Sequence, residues 1–203
     1  MTLNKRLMMY IRSEILPQYS KCDQAHGEQH IEYVMDRSLK LAHHYKADCN
    51  LSYTIAAYHD IGMLVSREKH EIISGEILEQ DSFIKNIFNK EQLGLMKEAI
   101  AEHRASYKGM PRTIYGKIIS QADRNFDIEM IMFRAVSYGK MKYPEYTKQQ
   151  HFERIYEYLQ SKYSSSGYLR LWLEFEDDQI ALDTLQTVLS RIEELEIVFG
   201  KYY

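Results

Sequence analysis

The chain has 203 residues, 45% of them apolar and 27% charged, and a formal net charge of −3. That is ordinary globular composition with enough residues for a sizeable core, so a disordered chain is excluded. The slight acidity gives no case for a nucleic-acid partner, and no apolar run reaches the roughly 20 residues of a membrane span. Cys22 and Cys49 form neither a CxxC pair nor a disulfide framework. Residues 1–21 lack an apolar secretory core, so the expected location is a reducing cytoplasm, with no membrane partner.

The hydrophobic period is helical throughout, and the scarcity of glycine and proline leaves long stretches free to be helical. Leu3, Leu7, Tyr10, Ile11 and Ile15 predict a first helix ending before Pro17. Asp23 can cap a second helix, whose apolar face is Ile31, Val34, Met35, Leu39 and Ala42. Asn50 or Ser52 opens a third, ending at Gly62. A fourth runs from about Arg67 to Glu79, and Phe83 to Ile87 makes a single turn. Glu91 to His103 is amphipathic, and a polar loop with Gly109 and Pro111 leads to a helix over Thr113 to Asp123. Ile128 to Val136 continues the pattern, and a break is expected at Gly139 to Pro144. Phe152 to Leu159 lies on a helix that stops at Ser164. The last helix is expected to run unbroken from about Asp178 to Phe199. No strand pattern emerges. The expected fold is all-α: a single-domain helical bundle over 1–203, with the functional core at about 23–130 and 131–203 as a C-terminal helical extension.

The polar candidates fall on these apolar stripes, because helical residues three or four apart share a face. His59 lies four after Ile55, and Asp60 four after Ala56. His70 heads the stripe of Ile73 and Ile77, and His103 follows Ala99 and Ile100. Asp123 lies four after Ile119, and His30 four before Val34. Six unpaired buried polar groups would be very costly, and one or two divalent cations would compensate all of them together. Imidazole and carboxylate suit manganese, iron or another transition metal, and carboxylate admits magnesium. The lack of thiolates in the set argues against a structural zinc site.

The order His30, His59-Asp60, Asp123, with the string Ala-Ala-Tyr-His-Asp-Ile-Gly, resembles the HD-domain superfamily of metal-dependent phosphohydrolases. His26-Gly-Glu-Gln-His30 looks like its first ligand-bearing helix, and Gln121-Ala122-Asp123-Arg124 like its last. The resemblance implies an HD-type helical fold and a first metal on His30, His59, Asp60 and Asp123. In members with two metals, one extra His follows the His-Asp pair and another ends a later helix; His70 and His103 match those places, and by that resemblance Asp60 would bridge the two metals as a catalytic residue. Met63 after His-Asp-Ile-Gly, Arg104 after His103 and the lack of Gly-Tyr-Pro depart from the members that cleave cyclic dinucleotides. Gly27 stands where related small hydrolases often have Asp. His26, one turn from His30, is a candidate substrate contact.

A second signal is basic: Arg104, Lys108, Arg112, Lys117 and Arg124 cluster between the proposed ligands His103 and Asp123. Arg can grip phosphate oxygens bidentately. Arg104, Lys108 and Arg124 are therefore expected to neutralise charge developing during catalysis, and these three with Arg112 and His26 to bind substrate. Glu102 reads as an exposed helix residue. The 17 tyrosines crowd the C-terminal third, where they are expected to pack helices. The expected function is metal-dependent phosphohydrolysis of a small phosphorylated substrate, in particular a nucleotide, by metal-activated water. The alternatives are a di-iron oxygenase on the same scaffold and a metal- or nucleotide-binding module without turnover.

Overall fold

The computed structural model describes residues 3–22 and 27–203, which form eleven α-helices and no strand. The expected cap Asp23 and the candidate substrate contact His26 lie outside the described residues. No helix among the described residues is long and apolar enough to cross a membrane. The chain divides into two compact units, Met1–Arg124 and Asn125–Tyr203.

In the first unit, α1 (Lys5–Tyr10) starts at Asn4, whose side chain accepts from the amides of Arg6 and Leu7. The helical path does not stop before Pro17. It widens into a π-helical turn over Ile11–Ile15 and then tightens into a 3-10 helix over Leu16–Lys21. Pro17 falls in the first turn of that 3-10 helix, where its missing N–H has no helical partner to lose. Next comes α2 (Glu28–His44), whose inward face carries His30, Ile31, Val34 and Met35.

The centre of this unit is α3 (Cys49–Tyr58), buried at every position except Asn50. Its cap is Asp48, not Asn50 or Ser52: Oδ1 accepts from the amides of Asn50 and Leu51. A short 3-10 turn, Ile61–Leu64, follows. Then come α4 (His70–Gln80), α5 (Ser82–Ile87), α6 (Lys90–Ala101) and α7 (Ile114–Ala122). Asn89 and Gln92 close a reciprocal capping box at the start of α6. The central α3 packs against α2, α6 and α7, while α4 packs on α6. A single residue, Asp81, ties several of these pieces together. Its Oδ2 accepts from the hydroxyls of Tyr10 and Tyr58, each at 2.7 Å, and its Oδ1 caps α5.

The second unit contains α8 (Ile128–Lys142), α9 (Lys148–Tyr163), α10 (Glu176–Leu189) and α11 (Ile192–Tyr202). Met132, Val136, Ile155, Leu159, Leu185, Leu189, Leu195 and Phe199 belong to its core. Two expectations are corrected here. The helix does not break at Gly139 but continues to Lys142. A Cβ at Gly139 would lie 2.4 Å from Arg154 Nη2 and 2.8 Å from His151 Nδ1, so these two side chains pack directly on its backbone and would have to shift to admit one. The last helix is two helices. Ser190 closes α10, and Arg191 leaves helical angles at φ −115°, ψ 89°, so that α10 and α11 can each turn an apolar face into one core.

Candidate metal centre

Three helix ends and two helix starts of the first unit meet at the residues singled out above. His59 occupies the C-cap of the buried helix α3, and Asp60 follows with φ −111° and ψ 3°, where the chain leaves the helix. His103 sits just beyond α6, and Asp123 is the C-cap of α7. His30 lies in the first turn of α2, and His70 opens α4. His30, His59, Asp60, His70 and His103 are all buried, and the Asp123 side chain is 20% exposed.

Gly62 makes the approach of α4 possible. A Cβ at this position would stand 2.4 Å from the His70 carbonyl oxygen and 2.8 Å from the Ser74 nitrogen. The Gly62 amide donates to Ser74 Oγ at 2.8 Å. The glycine of His-Asp-Ile-Gly therefore presses the 3-10 turn onto the first turn of α4 and brings His70 beside Asp60.

Asp60 divides its two oxygens between two groups of histidines. Oδ2 faces His59 Nε2 at 3.5 Å and His30 Nε2 at 3.9 Å. Oδ1 faces His70 Nε2 at 3.2 Å and His103 Nε2 at 3.5 Å. On the Oδ2 side, Asp123 Oδ1 adds a second carboxylate, 3.2 Å from His30 Nε2 and 3.8 Å from His59 Nε2. Among the described residues, three overlapping sets of possible ligands result: His30, His59 and Asp60; His59, His103 and Asp123; Asp60, His70 and His103.

Three of the rings are oriented from behind. Nδ1 lies 2.7 Å from the Ala56 carbonyl oxygen in His59, 2.8 Å from that of Arg67 in His70, and 2.6 Å from that of Ile100 in His103. A carbonyl only accepts, so Nδ1 carries the hydrogen, and in the neutral ring the lone pair is on Nε2. This is the support that metal-ligating histidines ordinarily have. His59 Nε2 is buried and makes no hydrogen bond. Ligand atoms about 2.1 Å from a shared cation stand about 3 to 4.2 Å apart in octahedral geometry, and the separations above fall in that range. The cluster thus fits one or two divalent cations.

Electrostatics agree with this. Burial alone would raise the Asp60 carboxyl, but the imidazoles of His59, His103 and His70 hold it well below the usual range. Burial likewise opposes ionisation of Asp123, and His30 and His59 outweigh it. For His59 burial favours the neutral ring, yet Asp60 and Asp123 raise it to about 9. His70 is raised by Asp60 against the same opposition from burial. The carboxylates remain ionised at neutral pH, and the proton that His59 gains is one a cation would displace.

The basic segment is sorted by its partners. The Arg124 side chain is 4% exposed; Nη2 donates to the His103 carbonyl oxygen at 2.9 Å and Ser120 Oγ at 2.8 Å, and Nη1 lies 3.4 Å from Asp123 Oδ2. It braces two candidate ligands from inside the protein and does not open to solvent. Arg112 reaches outward and binds Glu98 and Glu102 at 2.5 and 2.9 Å. Arg104 bonds through Nη1 to the Glu68 carbonyl and both Glu71 carboxylate oxygens. Lys108 is exposed on the loop that follows.

Glu102 is not an exposed helix residue. It is 2% exposed and accepts from Tyr107 Oη, the Arg112 amide and Arg112 Nε. At the end of a helix a glutamate looks solvated in sequence. The loop that folds back over it comes later in the chain, and its spacing carries no signal of that return.

Among family models, that of the HD domain matches residues 27–125. No curated protein and no solved structure matches the chain significantly.

Proposed function

Residues 27–125 make this chain a member of the HD-domain family, a superfamily composed mostly of metal-dependent phosphohydrolases, and on that premise we propose that it hydrolyses a small phosphorylated metabolite, in particular a nucleotide. The observation that carries the reading is the division of Asp60, whose oxygens face His30 and His59 on one side and His70 and His103 on the other. In this reading His30, His59, Asp60 and Asp123 would hold one divalent cation, and His70 and His103, with Asp60, would hold a second. Such cations, when bound, would lower the pKa of water and draw charge from a phosphoryl oxygen.

The chain's own residues supply orientation. The carbonyls of Ala56, Arg67 and Ile100 keep the Nε2 atoms of His59, His70 and His103 aimed at Asp60. Arg124 acts by positioning Asp123 and the His103 backbone, since its guanidinium is enclosed by them. Hydrolysis adds water across a phosphorus–oxygen bond, and the leaving oxygen departs with a proton.

The test is a panel of nucleotides, dinucleoside polyphosphates and simple phosphate esters, with the protein loaded in turn with manganese, iron and magnesium. Release of phosphate or a phosphorylated product, lost in Asp60→Asn, is the expected result. No turnover of any substrate with any of these metals overturns the proposal. The histidine-rich set of four imidazoles and two carboxylates also suits a pair of iron ions. Oxygen consumption by the iron-loaded protein with a non-phosphorylated substrate would favour that second reading.

A further inference from the structure

The candidate centre draws on a segment that precedes the residues matched to the family. Tyr19 lies before residue 27, where that match begins, in the 3-10 helix Leu16–Lys21. Three residues per turn put Leu16 and Tyr19 on one side of this helix, and both are buried, Tyr19 completely. The helix packs on α2, which carries His30, and on the 3-10 turn Ile61–Leu64, which follows Asp60.

Within this packing Tyr19 Oη donates to the Ala57 carbonyl oxygen at 2.9 Å. The last four carbonyls of a helix have no partner inside the helix, and Ala57 is the second-to-last residue of α3. The carbonyl before it, that of Ala56, is met by His59 Nδ1 at 2.7 Å. Two side chains therefore close the end of α3: a candidate ligand and Tyr19. The backbone N–H of Asp60 faces the same hydroxyl oxygen, so one phenol touches the main chain on both sides of His59. Burial, together with the Asp60 carboxylate, pushes the Tyr19 hydroxyl well above its usual value, and it stays protonated and a donor. Ala57 is fully buried, so its carbonyl has no water to turn to if the hydroxyl is removed.

The junction held in this way carries the most constrained side chain of the centre. Asp60 leaves the helix at φ −111°, ψ 3°, and from there aims Oδ1 at His70 and His103 and Oδ2 at His30 and His59. A rotation of the backbone at this point moves both oxygens together, toward one set of imidazoles and away from the other.

We infer that Tyr19 is a positioning residue of the metal centre: by holding the Ala57 carbonyl it fixes the angle at which α3 ends, and with it the division of the Asp60 carboxylate between two cations. The inference rests on the two-cation reading above, but its test does not require turnover.

Tyr19→Phe keeps the ring that fills the core and removes only the hydroxyl. Tyr10→Phe is the control, since it takes a hydroxyl of the same N-terminal segment away from Asp81 Oδ2, a carboxylate outside the candidate ligands. The full chain is titrated with manganese and followed by electron paramagnetic resonance, which separates a spin-coupled pair of adjacent ions from isolated ones. Each variant is also unfolded with denaturant. Wild type should take up two ions and show the coupled signal. Tyr19→Phe should bind manganese about tenfold more weakly and lose the coupled signal while still folded, whereas Tyr10→Phe should keep both. Lower stability in Tyr19→Phe with wild-type affinity and an intact coupled signal overturns the inference and leaves the metal centre standing. An equal loss of affinity in both variants also overturns it, because the effect then follows from stability alone. No manganese bound by wild type overturns the metal centre and the inference together.

Discussion

His70 presents Nε2 to Asp60 at 3.2 Å and meets Oδ1, the oxygen that His30 and His59 do not face. This makes His70 the discriminating residue between one cation and two. His70→Ala should reduce the metal content of the purified protein from about two equivalents to about one, and Asp60→Ala should abolish stoichiometric binding. Elemental analysis after dialysis against trace metal checks both. Equal metal content in wild type and His70→Ala would remove the shared role of Asp60.

Gly62 is the tightest backbone contact around the centre. Gly62→Ala places a Cβ against the His70 carbonyl oxygen at 2.4 Å and the Ser74 nitrogen at 2.8 Å. Both are main-chain atoms of a helix and cannot rotate away. The expected cost is about 3 kcal/mol of stability, read by chemical denaturation, with weaker metal binding because α4 carries His70. The exposed and uncontacted Gly94 is the control: Gly94→Ala should be neutral or mildly stabilising.

Glu102 should matter more to stability than its partner Arg112. Glu102→Ala strips an acceptor from Tyr107 and from the Arg112 amide and guanidinium together, at a cost of about 2 kcal/mol. Arg112→Ala leaves the carboxylate with two of its three donors. A denaturation series on both variants tests the order. A larger effect for Arg112→Ala would contradict the bracing role of Glu102.

The centre makes the metal-free protein sensitive to pH in a definite direction. His59 is raised from 6.5 to about 9 in the folded protein, so its contribution to stability is full below pH 6.5 and is lost as pH rises through about 9. Asp60 and Asp123 are lowered below 3.8, so theirs is present above that value and is lost as pH falls through their folded values. The chelated protein should lose melting temperature between pH 6.5 and 9. Over the same interval metal affinity should rise, because a cation must displace the His59 proton. The stabilisation on adding metal should therefore grow with pH. A metal-induced shift that shrinks from pH 6.5 to 9 would contradict this.

The helical architecture was legible because apolar residues recur at helical spacing, whereas the caps that start the helices, such as Asp48 and Asn89, emerged only from the structure. The six candidate ligands were legible for the same reason: each interrupts or extends an apolar stripe, and folding brings them within a few ångströms. What escaped depends on contacts distant in sequence. Glu102 is buried by a loop that returns over it, and Arg124 is enclosed by the His103 carbonyl and Ser120. Both are charged residues at helix ends, where local pattern gives no measure of exposure. The break at Arg191 escaped because the apolar period runs through it, so only the turn between α10 and α11 reveals that two helices share the stripe.

The sharing of Asp60 between two cations is tested most directly by anomalous diffraction from crystals grown with manganese. Two peaks are expected, one among His30, His59 and Asp123 and the other between His70 and His103, with Asp60 between them. No peak in this cluster, or a single peak on the His30 side at saturating manganese, would contradict the shared centre.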